Sequence, residues 1–323
     1  MPTPLRIGTR GSRLAMWQAM YMADRLRNAH PGLDVRIEEF HTAGDRDRAT
    51  PLVRMPGVGF FVKELESALL DGRIDLAVHS MKDVPTRLPG GLEVESSMPE
   101  REDVRDCLVT LAGLALAHLP QGAMVGSSSP RRRAMLRVVR PDLEFKDLRG
   151  NVETRLRKLE EGVCAATILA RAGLGRLGVL DQRMVALEPD VLTPAAGQGS
   201  LGLEFRGDDA RVRSLLVPLD HAATRLAVVA ERSLVRRLGA GCQTPLGVLG
   251  SVDGVARLTL SAYLLSPDGR ETLRHHRTGP AAEAVEIGHA LAETMLAEGA
   301  ARLVGSAAGG ESGGAAEDGA ADA

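Results

Sequence analysis

Two stretches of this chain run through the same order of features, and that repetition limits the fold more than anything else in the sequence. Ile7-Gly8-Thr9-Arg10-Gly11-Ser12-Arg13-Leu14-Ala15-Met16 is answered by Val125-Gly126-Ser127-Ser128-Ser129-Pro130-Arg131-Arg132-Arg133-Ala134-Met135. In each, a short apolar run meets a glycine, then a turn of hydroxyls and arginines, then residues with helical spacing. Ser12 is placed to cap the first of these helices. His30-Pro31 leads to an alternating strand over 34–40, and Arg140-Pro141 leads to one over 143–148. A helix expected over 61–70 closes at Asp71-Gly72 and runs into the apolar Leu76-Ala77-Val78. Leu159-Glu160-Glu161-Gly162 leads in the same way into the apolar run 165–170. Strands alternating with helices build mainly parallel sheets, and two units built alike leave a ligand cleft between them.

At 323 residues the chain is too long for one ordinary core. After Leu192-Thr193-Pro194-Ala195-Ala196-Gly197-Gln198-Gly199-Ser200 it is expected to cross back, with 201–204 returning a strand to the first unit. Two crossing segments make a hinge. A third region begins near Asp220, with helical periodicity over 222–238, then Gly239-Ala240-Gly241, strands over 258–265 and 271–277, and a helix over 281–298. From Gly305 the Gly/Ala/Glu/Asp-rich end has little to bury and is expected to be disordered. The expected fold class is α/β. A first α/β domain takes 1–98 and 198–217, a second takes 99–197, a small α+β C-terminal domain takes 220–304, and 305–323 is a tail.

Charge excludes some functions. With 40 Lys+Arg against 42 Asp+Glu, bulk electrostatics give no reason to expect nucleic acid or an anionic membrane. Aromatic residues make up 2%, which leaves few platforms for stacked bases. No stretch is long and apolar enough to span a bilayer, and the first residues lack the basic and apolar regions of a signal peptide. Cys107, Cys164 and Cys242 are far apart and odd in number, which fits a reducing compartment and forms no local metal site. A cytoplasmic protein is expected.

The chemistry concentrates where apolar runs end. Asp75-Leu76-Ala77-Val78-His79-Ser80-Met81-Lys82-Asp83-Val84-Pro85-Thr86 reads as a buried strand whose polar end faces a cleft. Asp83 would sit there beside Lys82. Ser127, Ser128 and Ser129 offer hydroxyls and backbone N–H groups at a helix start, suited to an anion. Arg131, Arg132, Arg133, Arg149, Arg155 and Arg176 follow successive strands, with Asn151 among them, and Arg10 and Arg13 enter from the first unit. Any one of these arginines is best read as a solvated face, and Asp83 alone as a turn aspartate. Several arginines at successive strand ends in a neutral protein reverse that reading. The implied ligand carries several carboxylates or phosphates. Cys242 follows a glycine-rich approach, unlike Cys164 inside an apolar run, and so is the better nucleophile or attachment site. His79 is read as a turn histidine satisfied by hydrogen bonds, and Val58, between Gly57 and Gly59, as part of a mobile loop.

Together these motifs resemble the porphobilinogen deaminase (hydroxymethylbilane synthase) family. The resemblance rests on Thr9-Arg10-Gly11-Ser12, Phe61-Val62-Lys63-Glu64-Leu65-Glu66, His79-Ser80-Met81-Lys82-Asp83-Val84-Pro85 and Ser128-Ser129-Pro130-Arg131-Arg132. Leu148-Arg149-Gly150-Asn151-Val152, Gly197-Gln198-Gly199 and Gly241-Cys242-Gln243 continue it, so that it covers about 5–303 in order. It implies two domains like periplasmic binding proteins of type II around a cleft, plus the small third domain carrying a cofactor. The family condenses four porphobilinogen units, each with acetate and propionate groups, releasing ammonia at each step to give the linear tetrapyrrole hydroxymethylbilane. A dipyrromethane cofactor is held by a thioether that maps to Cys242, and the catalytic aspartate maps to Asp83. The resemblance assigns cofactor binding to Lys82, Ser127, Ser128, Ser129, Arg131, Arg132, Asn151 and Arg155. It assigns substrate or growing-chain binding to Arg10, Ser12, Arg149, Arg155, Arg176 and Gln198. It implies a monomer with porphobilinogen as its small-molecule substrate, no metal, and no nucleic-acid or membrane partner.

Two departures stand out. The family's loop often reads Gly-Gly-Lys-Gly-Leu-Phe where this chain has Pro56-Gly57-Val58-Gly59-Phe60-Phe61, so a basic residue is missing at Val58. Pro130 replaces a usual leucine, which the first turn of a helix tolerates. Two rival classes remain open to test. A solute-binding receptor would share the cleft without a reaction, and a nucleic-acid regulator would use 131–140 as a basic helix. Ammonia release separates the first and a salt-dependent gel shift the second.

Overall fold

A computed structural model describes residues 3–40, 62–241 and 243–309. Val58 with its loop, Cys242 and the end of the tail lie outside those residues.

Two five-stranded sheets share one plan. In the first, β1 (Leu5–Arg10) lies between and parallel to β2 (Val35–Phe40) and β3 (Leu76–Ser80). Its strand order is β2-β1-β3-β10-β4, with β4 being Leu92–Glu93 and β10 being Leu201–Arg206. The second has the order β7-β6-β8-β5-β9, with β6 (Met124–Gly126) parallel to β7 (Glu144–Lys146) and β8 (Ala166–Ala170). Each sheet is completed by an antiparallel strand next to a crossing. The returning strand expected over 201–204 is β10, which pairs Leu201 with Ser80. β5 (Asp106–Val109), just past the outward crossing, fits between β8 and β9 (Met184–Leu187).

Local chemistry accounts for the helices that begin each unit. Ser12 Oγ accepts from Ala15 N to cap α1 (Arg13–Ala29), whose Ala19, Met22, Ala23 and Leu26 are buried against the sheet. Pro130 opens α3 (Pro130–Val139) without disruption, because its missing N–H falls where a helix start has no acceptor anyway. α2 (Lys63–Leu70), α4 (Val152–Glu160) and α5 (Arg171–Arg176) fill the other connections. Leu5, Ile7, Met22, Leu26, Leu76 and Phe205 form one core, and each fully buried side chain of this kind contributes roughly 1.5–3 kcal/mol.

The C-terminal unit follows α6 (Ala210–Leu216). It packs α7 (Ala222–Leu238) and α8 (Ala284–Ala297) on an antiparallel meander of β11 (Leu246–Val252), β12 (Arg257–Leu265) and β13 (Thr272–Pro280). β11 was not foreseen, because Gly247 and Gly250 interrupt its apolar run. Both are packing sites. A Cβ on Gly247 would come within 2.6 Å of Met135 and Thr193, and one on Gly250 within 2.8 Å of Ala227 O. The expected helix over 281–298 opens with a short 3₁₀ turn, Ala281–Glu283. The tail expectation needs correction at its start. α9 (Ala300–Gly309) passes through Gly305, since Leu303 is buried in the third core and anchors it. His79 also differs from its turn reading. It lies on β3, buried, with Nε2 2.9 Å from Glu204 Oε2 on β10.

Among the described residues no helix is long and apolar enough to cross a membrane, and no cluster of His, Cys, Asp and Glu could hold a metal.

Candidate active site

β3 ends at Ser80, and a 3₁₀ turn over Met81–Asp83 brings Lys82 and Asp83 to the sheet's carboxyl edge, where open α/β sheets bind ligands. The turn is tied on both sides. Met81 N donates to Ser200 O at 3.0 Å, and Gln18 Nε2 donates to Ser80 Oγ at 2.9 Å. Gly197 passes close by, with a φ of 72° and room for no Cβ, which would lie 2.9 Å from Met81 Cγ. Asp83 is exposed. Lys82 is half-buried, and its Nζ donates to Gln198 Oε1 at 3.4 Å.

The second domain presents its arginines opposite this turn. Arg131 and Arg132 are 5% and 7% exposed, and both bind Asp106, which is fully buried at the head of β5. Arg131 Nη2 reaches Asp106 Oδ2 at 2.8 Å and Arg132 Nη2 reaches Oδ1 at 2.6 Å. Their Nη1 groups donate to Thr193 O and Ile168 O. The buried Nε–H of Arg132 has no acceptor among the described residues. One internal carboxylate therefore serves two guanidinium groups.

The charges of this cluster are felt across the cleft. Burial pushes Lys82 down to about 8, Asp83 and Asp106 oppose that fall, and Arg132 and Arg131 add to it. Burial would raise Asp106, yet Arg132 and Arg131 hold it well below the ordinary carboxylate range. Arg155 is lowered to about 10 by burial, with Arg132 and Arg149 pushing the same way and Asp83 against. Five cations, Lys82, Arg131, Arg132, Arg149 and Arg155, thus neighbour two carboxylates, Asp83 and Asp106. A partly buried surplus of positive charge is suited to a ligand with several carboxylates.

Other expected site residues serve the turns or lie elsewhere. Ser127 Oγ accepts from Ser129 N, and Ser128 Oγ accepts from Leu148 N and donates to Leu148 O. Ser129 and Asn151 cap α3 and α4. Gln198 is buried, and its Nε2 donates to Val104 O, so it bridges the two crossings beneath Lys82. Arg10 ends β1 and Ser12 caps α1. Arg176 is buried, donates to Gly199 O at 2.6 Å, and lines a pocket of about 380 Å³ with Gly11, Arg13, Trp17 and Glu39.

Sequence reasoning missed Asp106. Its one signal was an acid heading the apolar Cys107-Leu108-Val109. Also missed was Glu231, fully buried on α7, which accepts from Arg101 of one crossing, Gly197 N of the other and Gly250 N of β11. Cys107 and Cys164 are buried, and burial pushes both thiols up. α7 ends at Leu238, and Gly239 caps it in the left-handed conformation.

A family model described as porphobilinogen deaminase, dipyromethane cofactor binding domain, matches residues 5–214. One described as porphobilinogen deaminase, C-terminal domain, matches 225–297. The chain is 49% identical over 300 residues to porphobilinogen deaminase of Syntrophotalea carbinolica, covering 93% of this chain and 95% of the relative. It is 50% identical over 295 residues to that of Paracoccus denitrificans, covering 90% and 93%. Among solved structures, the periplasmic VFT2 domain of Bordetella pertussis BvgS superposes with a TM-score of 0.39 at 15% identity, covering 66% of this chain and 84% of that one.

Proposed function

The chain belongs to the porphobilinogen deaminase family, and from that premise we propose that it is a hydroxymethylbilane synthase working at the cleft between its two α/β units. The reaction joins four porphobilinogen molecules head to tail, with one ammonia released at each step. The observation that carries the reading is the facing of Lys82 and Asp83 by Arg131, Arg132 and Arg155, with the buried carboxylate of Asp106 shared by Arg131 and Arg132. Acetate and propionate groups on each ring match that surplus of positive charge.

A dipyrromethane group fits these residues, because the buried Arg132 Nε–H has no acceptor among the described residues and the cations around Asp83 and Asp106 outnumber the carboxylates. Lys82, Arg131, Arg132 and Arg155 would hold its carboxylates, and Ser127, Ser128, Ser129 and Asn151 would shape the turns beside them. Bound through a thioether to Cys242, the group supplies the free pyrrole position on which the chain is built. Asp83 works on the incoming substrate. Its carboxylate accepts a hydrogen bond from the protonated aminomethyl nitrogen, and as ammonia departs it faces the positive charge left on the ring and its methylene carbon. Arg10, Ser12, Arg149, Arg176 and Gln198 are assigned to substrate and growing chain. Domains of 1–98 with 198–217, 99–197 and 220–304, and a cytoplasmic monomer, complete the reading.

Asp83→Asn keeps shape and polarity but removes the charge. Turnover should fall by roughly two to three orders of magnitude with cofactor loaded. Wild-type turnover in the loaded variant would remove Asp83 from the reaction.

A further inference from the structure

The turn that carries Asp83 is gripped from an unexpected side. Its closing bond is Val84 N to Met81 O, and Pro85 has no N–H to offer. Among the described residues no backbone donor reaches the carbonyls of Val84 and Pro85. Arg232 on α7 satisfies both. It is 2% exposed, its Nη1 donates to Val84 O at 2.9 Å, and its Nη2 donates to Pro85 O at 2.7 Å. Its Nε donates to Glu95 Oε1 at 2.7 Å. Arg236, one helical turn on, donates to the same Glu95 oxygen and to Thr86 O. Val228, one turn earlier, packs against Met81, Val84, Val94 and Met98. The planar fork of an arginine holds two carbonyls in a fixed geometry through separate nitrogens, which the single nitrogen of a lysine does not.

From this geometry we infer that Arg232 is a positioning residue for catalysis, holding the Asp83 turn in register with the third domain. The inference rests on the reading of Asp83 given above. α7 ends at Leu238, and three residues, Gly239, Ala240 and Gly241, separate it from Cys242. One rigid helix therefore links the acidic group that works on each substrate to the chain position that anchors the product. Each elongation step must return a reacting carbon to the same carboxylate while the chain lengthens. A turn clamped to the anchoring unit keeps that carboxylate in place, and space for the longer chain has to come from the arginine-bearing second unit. Catalytic groups tolerate little displacement, so a loosened turn is felt in turnover rather than in binding.

A double-mutant cycle tests this in the cofactor-loaded enzyme. Arg232→Lys should keep the wild-type added mass and a KM within about twofold, while kcat falls about ten- to a hundredfold, the scale set by slight misplacement. In an Asp83→Asn background the same change should cost less than about threefold, because a residue acting through Asp83 has nothing left to position. Unchanged kcat in loaded Arg232→Lys overturns the inference, as does an equal loss in both backgrounds. Wild-type turnover in Asp83→Asn alone takes down the reading of Asp83 as well, whereas an impaired Asp83→Asn beside a fully active Arg232→Lys takes down only the role of Arg232. Where Arg232→Lys does not fold, Glu95→Gln weakens the clamp and keeps its volume. It should lower kcat severalfold in the wild type and leave Asp83→Asn unchanged, and no loss in the wild type refutes the clamp.

Discussion

At the residue scale, a single buried carboxylate decides where two arginines point. Asp106 is shared by Arg131 and Arg132, all three nearly excluded from solvent, and removing its charge leaves two adjacent guanidinium groups without a counter-ion. Breaking a buried pair from one side costs about 3–5 kcal/mol. Asp106→Asn should lower the urea midpoint accordingly and leave much of the protein without cofactor, read as intact mass. A loaded variant of wild-type stability would show that the arginines are held by Thr193 O and Ile168 O alone. Lys82 supplies a pH handle. Its proton is held to about pH 8, so its charge is present below that and lost above it. Arginine stays charged throughout, so the alkaline limb of kcat/KM should move to higher pH in Lys82→Arg. Coincident limbs would assign the titration to another group.

At the scale of elements, α2 carries an acid into the first core. Glu66 is 8% exposed and raised to about 7, first by burial and then by the charge of Glu204, while His79 and Lys63 pull the other way. Between its ordinary 4.5 and about 7, the folded protein keeps a proton that the unfolded chain releases. Stability therefore falls as pH rises through that window and levels off above it. Glu66→Gln should flatten this slope and gain on the order of 1–3 kcal/mol above pH 7. Denaturant midpoints from pH 5 to 8 in both proteins would check it, and parallel curves would clear Glu66. The α7–β11 contact belongs to the same scale. Gly250 can sit against Ala227 O only because it has no Cβ, which puts Gly250 N 2.8 Å from Glu231.

At the scale of the whole molecule, the prediction concerns the anchor. Purified protein should be heavier than its chain by two linked pyrrole units. Cys242→Ser should lose that mass and the activity, while Cys107→Ser and Cys164→Ser keep both, since their thiols are buried and disfavoured as thiolates. Added mass surviving denaturation in Cys242→Ser would move the anchor elsewhere. What the sequence determined alone was whatever local chemistry dictates. The echo of 7–16 in 125–135 announced twin strand–turn–helix units, Ser12 announced a helix cap, Pro130 was compatible with a helix start, and the apolar run ending in Lys82-Asp83 announced a strand edge at a cleft. Partners distant in sequence were decided only by tertiary structure. Asp106 meets Arg131 and Arg132 because β5 enters the second sheet antiparallel, between β8 and β9. Arg232 lies 148 residues from the Val84 carbonyl it holds, and reads along the chain as one more charge on a helix face. His79 read as a turn residue because its partner, Glu204, arrives on a strand that returns after the second unit is complete. Local rules act over a turn or a strand, whereas a buried charge takes its meaning from whichever element the fold sets against it.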